Sequence, residues 1–158
     1  MIFPHHEMCA SQARVITGKE LAEHYVHSAM IGLDGEKMSK SKGNLVFVST
    51  LVNSGVDPMA IRFALMSDHY RNDRMWSQAV LETAQNRIAQ IKQALMSNNC
   101  APTQTVISQI IDCLAQDLNT ARALNSIDQW ASATLAGENG GDKQDLVTIL
   151  DALLGLSF

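Results

Sequence analysis

The stretch YVHSAMIGLDGEKMSKSKGNLVFVST, residues 25–50, governs the reading of the whole chain. Its first part, Tyr25 to Leu33, is apolar with strand formers at both ends, and it stops at Asp34-Gly35, a dipeptide that marks a turn. The following DGEKMSKSKGN holds three lysines and two glycines in eleven residues and has neither a helical nor a strand period. Leu45-Val46-Phe47-Val48 then reads as a second short apolar strand. The segment is therefore expected to be strand, basic loop, strand.

Outward from it the pattern turns helical. On the N-terminal side a short helix is expected from Glu7 to Val15, closing at Thr17-Gly18. On the C-terminal side Ser49 or Thr50 can cap a helix through LVNSG, and Asp57-Pro58 supplies an N-cap with proline in the first turn for MAIRFALMS. Between Trp76 and Met96, Val80, Ala84, Arg87, Ile88, Ile91 and Leu95 recur at three and four residues, the period of an amphipathic helix. Two further helices are expected over Thr103–Leu118 and Thr120–Leu135, followed by the linker GENGG and a last helix over Asp142–Leu154. The expected fold class is mainly α: a residual strand-loop-strand over residues 1–50 feeding a helical bundle over 51–158.

Composition narrows the function classes. At 158 residues and 46% hydrophobic, the chain can bury one core, and 18% charged residues do not make a disordered or supercharged tail. No run approaches the roughly 20 apolar residues of a membrane-spanning helix, and no secretion signal opens the chain, so a cytoplasmic protein without membrane partners is expected. Cys9, Cys100 and Cys113 form no paired spacing and are expected as free thiols. Residues 104–158 carry Arg122 and Lys143 against seven acids, a net −5, whereas residues 1–103 carry ten bases against nine acids, a net +1. An acidic surface repels phosphate backbones, so no nucleic-acid partner is expected for the C-terminal part.

Chemistry concentrates in Lys37-Met38-Ser39-Lys40-Ser41. Lysines three apart, interleaved with hydroxyls and followed by Gly43, can lay ammonium groups and short donors along a polyphosphate. By charge alone the same residues read more readily as a solvated basic turn. The full string resembles the second signature of class I aminoacyl-tRNA synthetases, and FPHHE at residues 3–7 with GEKMSKSKGN narrows the likeness to the cysteinyl group. Within that group, MIGLDGEKMSKSKGNLVFVSTL, the HYRNDRMW of 69–76 and the DLNTARAL of 117–124 resemble the mycothiol cysteine ligases, which join cysteine to glucosaminyl-inositol. The bundle's end at LDALLGLSF, without an anticodon-reading region, points the same way.

That resemblance implies ATP, L-cysteine and glucosaminyl-inositol as substrates, a cysteinyl-adenylate intermediate and an amide product. It implies Lys40 as the principal ATP-binding and catalytic residue with Lys37 in support, Ser39 and Ser41 as further ATP contacts, and Ile31 bordering the adenylate, although Ile31 also reads as ordinary core. It implies zinc with His5 as a ligand, a borderline-soft ion that selects thiolate over hydroxyl. Where the synthetases carry a glutamate ligand four residues on, this chain has Cys9, which could face the same ion. The ligase branch does without that glutamate, which favours a buried, non-ligating thiol. His6 and Glu7 read as supporting residues.

The remaining zinc cysteines and the His-Ile-Gly-His type signature of the family belong to more N-terminal sequence. The 158 residues are therefore expected to be a C-terminal fragment, without stoichiometric zinc or ATP–pyrophosphate exchange of its own. Trp76, Trp130 and the eight methionines read as core packing, and Arg71 and Arg74 as a solvated face that could serve acceptor binding. The rival readings are a cysteinyl-tRNA synthetase portion, in which a ribose hydroxyl is the acceptor, and a non-catalytic helical interaction module.

Overall fold

A computed structural model describes residues 2–158. A short helical turn at its start leads into α1 (Glu7–Thr17), and then come β1 (Ile31–Leu33), β2 (Glu36–Lys37), α2 (Val48–Asn53), α3 (Pro58–Met66) and β3 (Arg74–Trp76). Four helices complete the chain: α4 (Gln78–Met96), α5 (Gln104–Ala115), α6 (Thr120–Leu135) and α7 (Lys143–Leu154). The architecture is mainly α, as the periodicity predicts, with one small three-stranded sheet.

The core lies entirely in the bundle. Phe63, Leu81, Ile91, Ile110, Leu124, Ile127, Leu146, Leu150, Leu154 and Leu156 are fully buried, whereas among the described residues before Ala60 only Gly32 is buried. Of the stripe read from the sequence, Ala84, Ile88 and Ile91 are buried; Leu81 and Ala94, which it omitted, complete the buried face of α4, and Val80 and Leu95 are only partly buried at its flanks. Arg87 departs from it, laying its guanidinium 4.5 Å over the Phe63 ring and pairing with Asp128 at 2.6 Å. The cation thus covers an aromatic edge of the core while its charge is met from α6.

Local capping explains where the helices start. Asp57 accepts from the Met59 amide with Pro58 in the first turn, Ser77 from Val80, Asn119 from Arg122 and Asp142 from Gln144. The α4–α5 connection is fixed by side chains from later helices: Trp130 Nε1 donates to Ala101 O at 3.0 Å, and the Ala101 amide donates to Thr134 Oγ1 at 3.0 Å. Trp130 is therefore the inter-helix anchor expected of it, and Trp76 packs half-buried against the same core.

Several expectations are corrected. Of the strand predicted from Tyr25, only Ile31–Leu33 forms, where β2 pairs antiparallel on one side and β3 parallel on the other. The predicted strand at Leu45–Val48 is absent; Phe47 is extended, but Val48 already begins α2, and the segment joins neither edge of the three-stranded sheet. Helix α5 stops at Ala115 rather than Leu118, where Asp117 and Leu118 adopt left-handed backbone. The methionines are not uniformly core: Met59 and Met66 pack against it, but Met8, Met30, Met75 and Met96 are exposed, while Met1 lies outside the described residues. Helix α1 buries nothing, with Val15 87% and Ile16 82% exposed, so propensity and its Gly18 cap rather than tertiary packing account for it within this chain.

Asp57 joins two stabilising roles, capping α3 and receiving Lys92 Nζ at 2.6 Å. The Lys92 hydrogen bond, aided by the Met59 amide, holds its carboxyl below the ordinary carboxylate range despite an opposing contribution from burial. A depressed carboxyl stabilises the fold above its unfolded pKa and loses that contribution as pH falls through the folded one. Asp57→Ala should cost about 1 kcal/mol in a denaturant melt. Asp57→Asn, which keeps a capping oxygen, should melt below the parent chain by a constant margin above about pH 5, a margin that closes as pH falls below about 4.

Candidate functional site: a lysine-bearing hairpin

The residues singled out by charge lie on and just beyond a tight hairpin. Asp34 (φ 53°) and Gly35 (φ 80°) both take left-handed backbone, the combination a two-residue hairpin turn requires, and they set Gly32 opposite Lys37 and Leu33 opposite Glu36. The basic loop is thus more ordered than its sequence suggests: β2 occupies its start, and Lys40–Lys42 form a 3₁₀ turn closed by Gly43 in left-handed backbone.

One side chain closes the loop. Asn44 Oδ1 accepts from the Ser39 amide at 2.9 Å, and Asn44 Nδ2 donates to Lys37 O at 3.2 Å, bridging both sides of the Met38 turn. The Ser39 and Ser41 hydroxyls stand 3.2 Å apart. Lys42 is committed to Glu36 at 2.7 Å. Lys37 and Lys40 are exposed and form no ion pair among the described residues. The loop therefore neutralises one of its three cations internally and presents two ammonium groups interleaved with two hydroxyls, a set of donors suited to a phosphate chain. Asn44 and the Glu36–Lys42 pair escaped the sequence reading; an amide one residue past a glycine, and a carboxylate six residues before a lysine, were the available signals.

Ile31 lines an apolar pocket of about 150 Å³ at the root of the hairpin, together with Met38, Val46, Leu51, Ile61 and Trp76. The pocket joins the loop to the bundle, since Met38 comes from the loop and Ile61 from α3. Arg74 lies on β3, where Nη1 and Nη2 donate to Asn72 O and Leu65 O, both at 3.3 Å. Arg71 is bound to Asp117. Arg71 is therefore ion-paired while remaining on the solvated face expected of it, and Arg74 is half-buried and held by backbone carbonyls.

The histidines stand apart from the lysines. His5 is exposed, and His6 Nδ1 lies 2.9 Å from His27 Nε2 with the rings stacked. Cys9 is exposed, which corrects the expectation of a buried thiol: α1 packs on nothing that could cover it. Among the described residues no three His, Cys, Asp or Glu side chains come together as a metal-binding group. His5 and Cys9 offer two donors where zinc takes four, so these residues by themselves do not fit a zinc centre.

Gly32 is required by close approach. A Cβ there would lie 2.6 Å from Glu36 O and 2.6 Å from Met75 Sδ. The sulfur can swing aside, but the carbonyl belongs to the hairpin itself. Gly32→Ala should break the Gly32–Lys37 register and raise amide exchange across residues 31–37 by about tenfold or more, while leaving α4 and α6 protected.

Comparison with known proteins places this geometry. The family described as tRNA synthetases class I (C) catalytic domain matches residues 1–86. Proteins named L-cysteine:1D-myo-inositol 2-amino-2-deoxy-alpha-D-glucopyranoside ligase are 48% identical to the chain in Rhodococcus erythropolis and in Thermobifida fusca, and 49% identical in Salinispora tropica. Each alignment covers 99% of this chain and 39% of the relative, so the chain spans about two-fifths of the length of these relatives. No helix is long and apolar enough to cross a membrane among the described residues. With the synthetase match extending over more than half of its residues and including the lysine-bearing hairpin, the chain belongs to the class I (C) tRNA synthetase family.

Proposed function

We propose that the chain is the C-terminal part of an ATP-dependent cysteine ligase, a mycothiol cysteine ligase, and that its hairpin supplies cations to the triphosphate. Residues 1–50 are then the end of a nucleotide-binding catalytic domain, and residues 51–158 the bundle on which it rests. The reading is carried by the two unpaired ammonium groups of Lys37 and Lys40 on an ordered hairpin, in a chain nearly half identical to ligases of that name.

The chemistry follows from charge. The carboxylate of cysteine attacks the α-phosphorus of ATP, the bond to pyrophosphate breaks, and negative charge grows on the departing phosphates. Lys40 meets that charge with Lys37 beside it, while Ser39 and Ser41 donate to phosphate oxygens. A cation positioned for developing charge binds the transition state more tightly than the ground state. A charge-assisted hydrogen bond of roughly 1.5–3 kcal/mol corresponds to about a ten- to hundredfold effect on rate. Ile31 borders the adenylate from the strand beneath. The amine of glucosaminyl-inositol then attacks the acyl carbon, AMP leaves, and an amide remains.

His5 enters only as one donor among others contributed from outside these residues, and neither step above is routed through a metal. The acidic balance of residues 104–158 favours a small neutral or cationic acceptor over a nucleic acid, and the reaction belongs in the cytoplasm. The 158 residues alone contain one side of the proposed nucleotide site and should not exchange ATP with pyrophosphate.

The test joins this chain behind the N-terminal portion of the Rhodococcus erythropolis relative. The joined protein should show cysteine-dependent ATP–pyrophosphate exchange and release AMP when glucosaminyl-inositol is added. Lys40→Ala should lower the exchange rate by about ten- to a hundredfold with a much smaller change in the KM for cysteine. Charging of tRNA in place of amide formation would reassign the acceptor. No nucleotide-dependent activity in a folded joined protein, or equal loss of rate and cysteine binding in Lys40→Ala, would overturn the reading.

A further inference from the structure

Three consecutive residues, His69, Tyr70 and Arg71, all bind one residue more than forty positions later. Tyr70 Oη donates to Asp117 Oδ1 at 2.7 Å, and Arg71 reaches both carboxylate oxygens, Nη2 to Oδ1 at 3.1 Å and Nε to Oδ2 at 2.9 Å. His69 Nε2 lies 2.9 Å from Asp117 O, and the Arg71 amide donates to His69 Nδ1 at 3.3 Å. A carbonyl only accepts, so Nε2 carries the proton and Nδ1 is left to accept, the neutral tautomer that suits both contacts. Tyr70, Arg71 and the Asp117 carboxylate thereby close a triangle, with Arg71 Nε also 2.8 Å from Tyr70 Oη.

The backbone at Asp117 is unusual as well. Asp117 (φ 56°) and Leu118 (φ 53°) are successive non-glycine residues in left-handed conformation, and they turn the chain out of α5 so that Asp117 faces the 69–71 loop. Such strain persists where surrounding contacts over-determine it. The cluster is half exposed, with Arg71 63% and Asp117 50% accessible, and ion pairs of that exposure contribute little to global stability. Its consequence is local order.

The clamped loop is also what holds the hairpin strand. Tyr70 O accepts from the Ala29 amide at 2.8 Å, Asp73 Oδ1 from the Met30 amide at 2.8 Å, and the Arg74 amide donates to Met30 O at 3.1 Å. Immediately beyond these contacts Ile31–Leu33 pair in parallel with Arg74–Trp76, and the Asp34-Gly35 turn leads to Lys37 and Lys40. A continuous path of hydrogen bonds therefore runs from Asp117 through residues 69–73 to the root of the lysine hairpin.

We propose that Asp117 is a positioning residue, which by clamping the His69–Arg71 loop onto the α5–α6 turn fixes the hairpin that carries Lys37 and Lys40. This rests on the ATP reading only for its catalytic consequence; the mechanical part concerns this chain alone. Asp117 touches no substrate in this scheme and acts through the loop and β1.

Asp117→Gly removes the carboxylate while keeping the left-handed backbone free of strain, and Asp117→Asn keeps an accepting oxygen. In hydrogen–deuterium exchange of the 158-residue chain, Asp117→Gly should speed exchange of residues 29–33 and 74–76 by about tenfold or more, leave α4 and α6 protected, and leave the melting temperature nearly unchanged. Asp117→Asn should recover most of the protection. In the joined enzyme Asp117→Gly should lower kcat for ATP–pyrophosphate exchange with little change in the KM for cysteine. Unchanged hairpin exchange in Asp117→Gly, or acceleration spread equally through the bundle, would overturn the proposal. If the hairpin loosens but neither Lys40→Ala nor Asp117→Gly affects nucleotide exchange, the ATP reading fails and the positioning role stands.

Discussion

Three residue pairs, Ile31 with Arg74, Gly32 with Met75 and Leu33 with Trp76, tie the first third of this chain to the rest. Before Ala60 the described residues contribute almost nothing to the core, so the lysine hairpin has no hydrophobic foundation of its own. Its geometry is borrowed. Strand β3 is continuous with α4, which Leu81, Ile88 and Ile91 anchor in the bundle, and the hairpin inherits that rigidity through a parallel ladder and the apolar pocket around Ile31 and Met38. Short strands are weak alone and hold here because one edge is fixed from behind.

Electrostatics divides the molecule along the same line. Acidic residues dominate the last two-fifths of the sequence, yet those of the bundle that form ion pairs meet local cations: Asp128 takes Arg87, and Asp117 takes Arg71. At the hairpin the balance reverses, because Glu36 satisfies Lys42 and leaves Lys37 and Lys40 without an ion pair among the described residues. Two exposed ammonium groups thus stand near an apolar pocket lined by Ile31 and Met38.

What could be read from the sequence was whatever is decided within a few residues. The Asp57-Pro58 start, the Thr120–Leu135 helix and the Asp34-Gly35 turn each depend on near neighbours, and each stands where its signal lies. The lysine loop was legible through the family resemblance of its full string, since charge alone favoured a solvated basic turn. Strand β3 was not, since Arg74-Met75-Trp76 becomes a strand only by pairing with residues 43 positions earlier. For the same reason the apolar run at Leu45–Phe47 misled: strand formers without a partner remain an extended connection. Asp117 was hidden further still, because its left-handed backbone has no sequence marker as plain as a glycine.

The three thiols of the chain occupy unequal positions. Cys100 and Cys113 are sealed inside the bundle, while Cys9 lies on the outer surface of α1. Access limits the reaction of a thiol with a soft electrophile, and two of these thiols have none in the folded state. A maleimide dye added to the native chain therefore settles on one sulfur, providing a single fluorescent handle on α1 without recourse to mutagenesis.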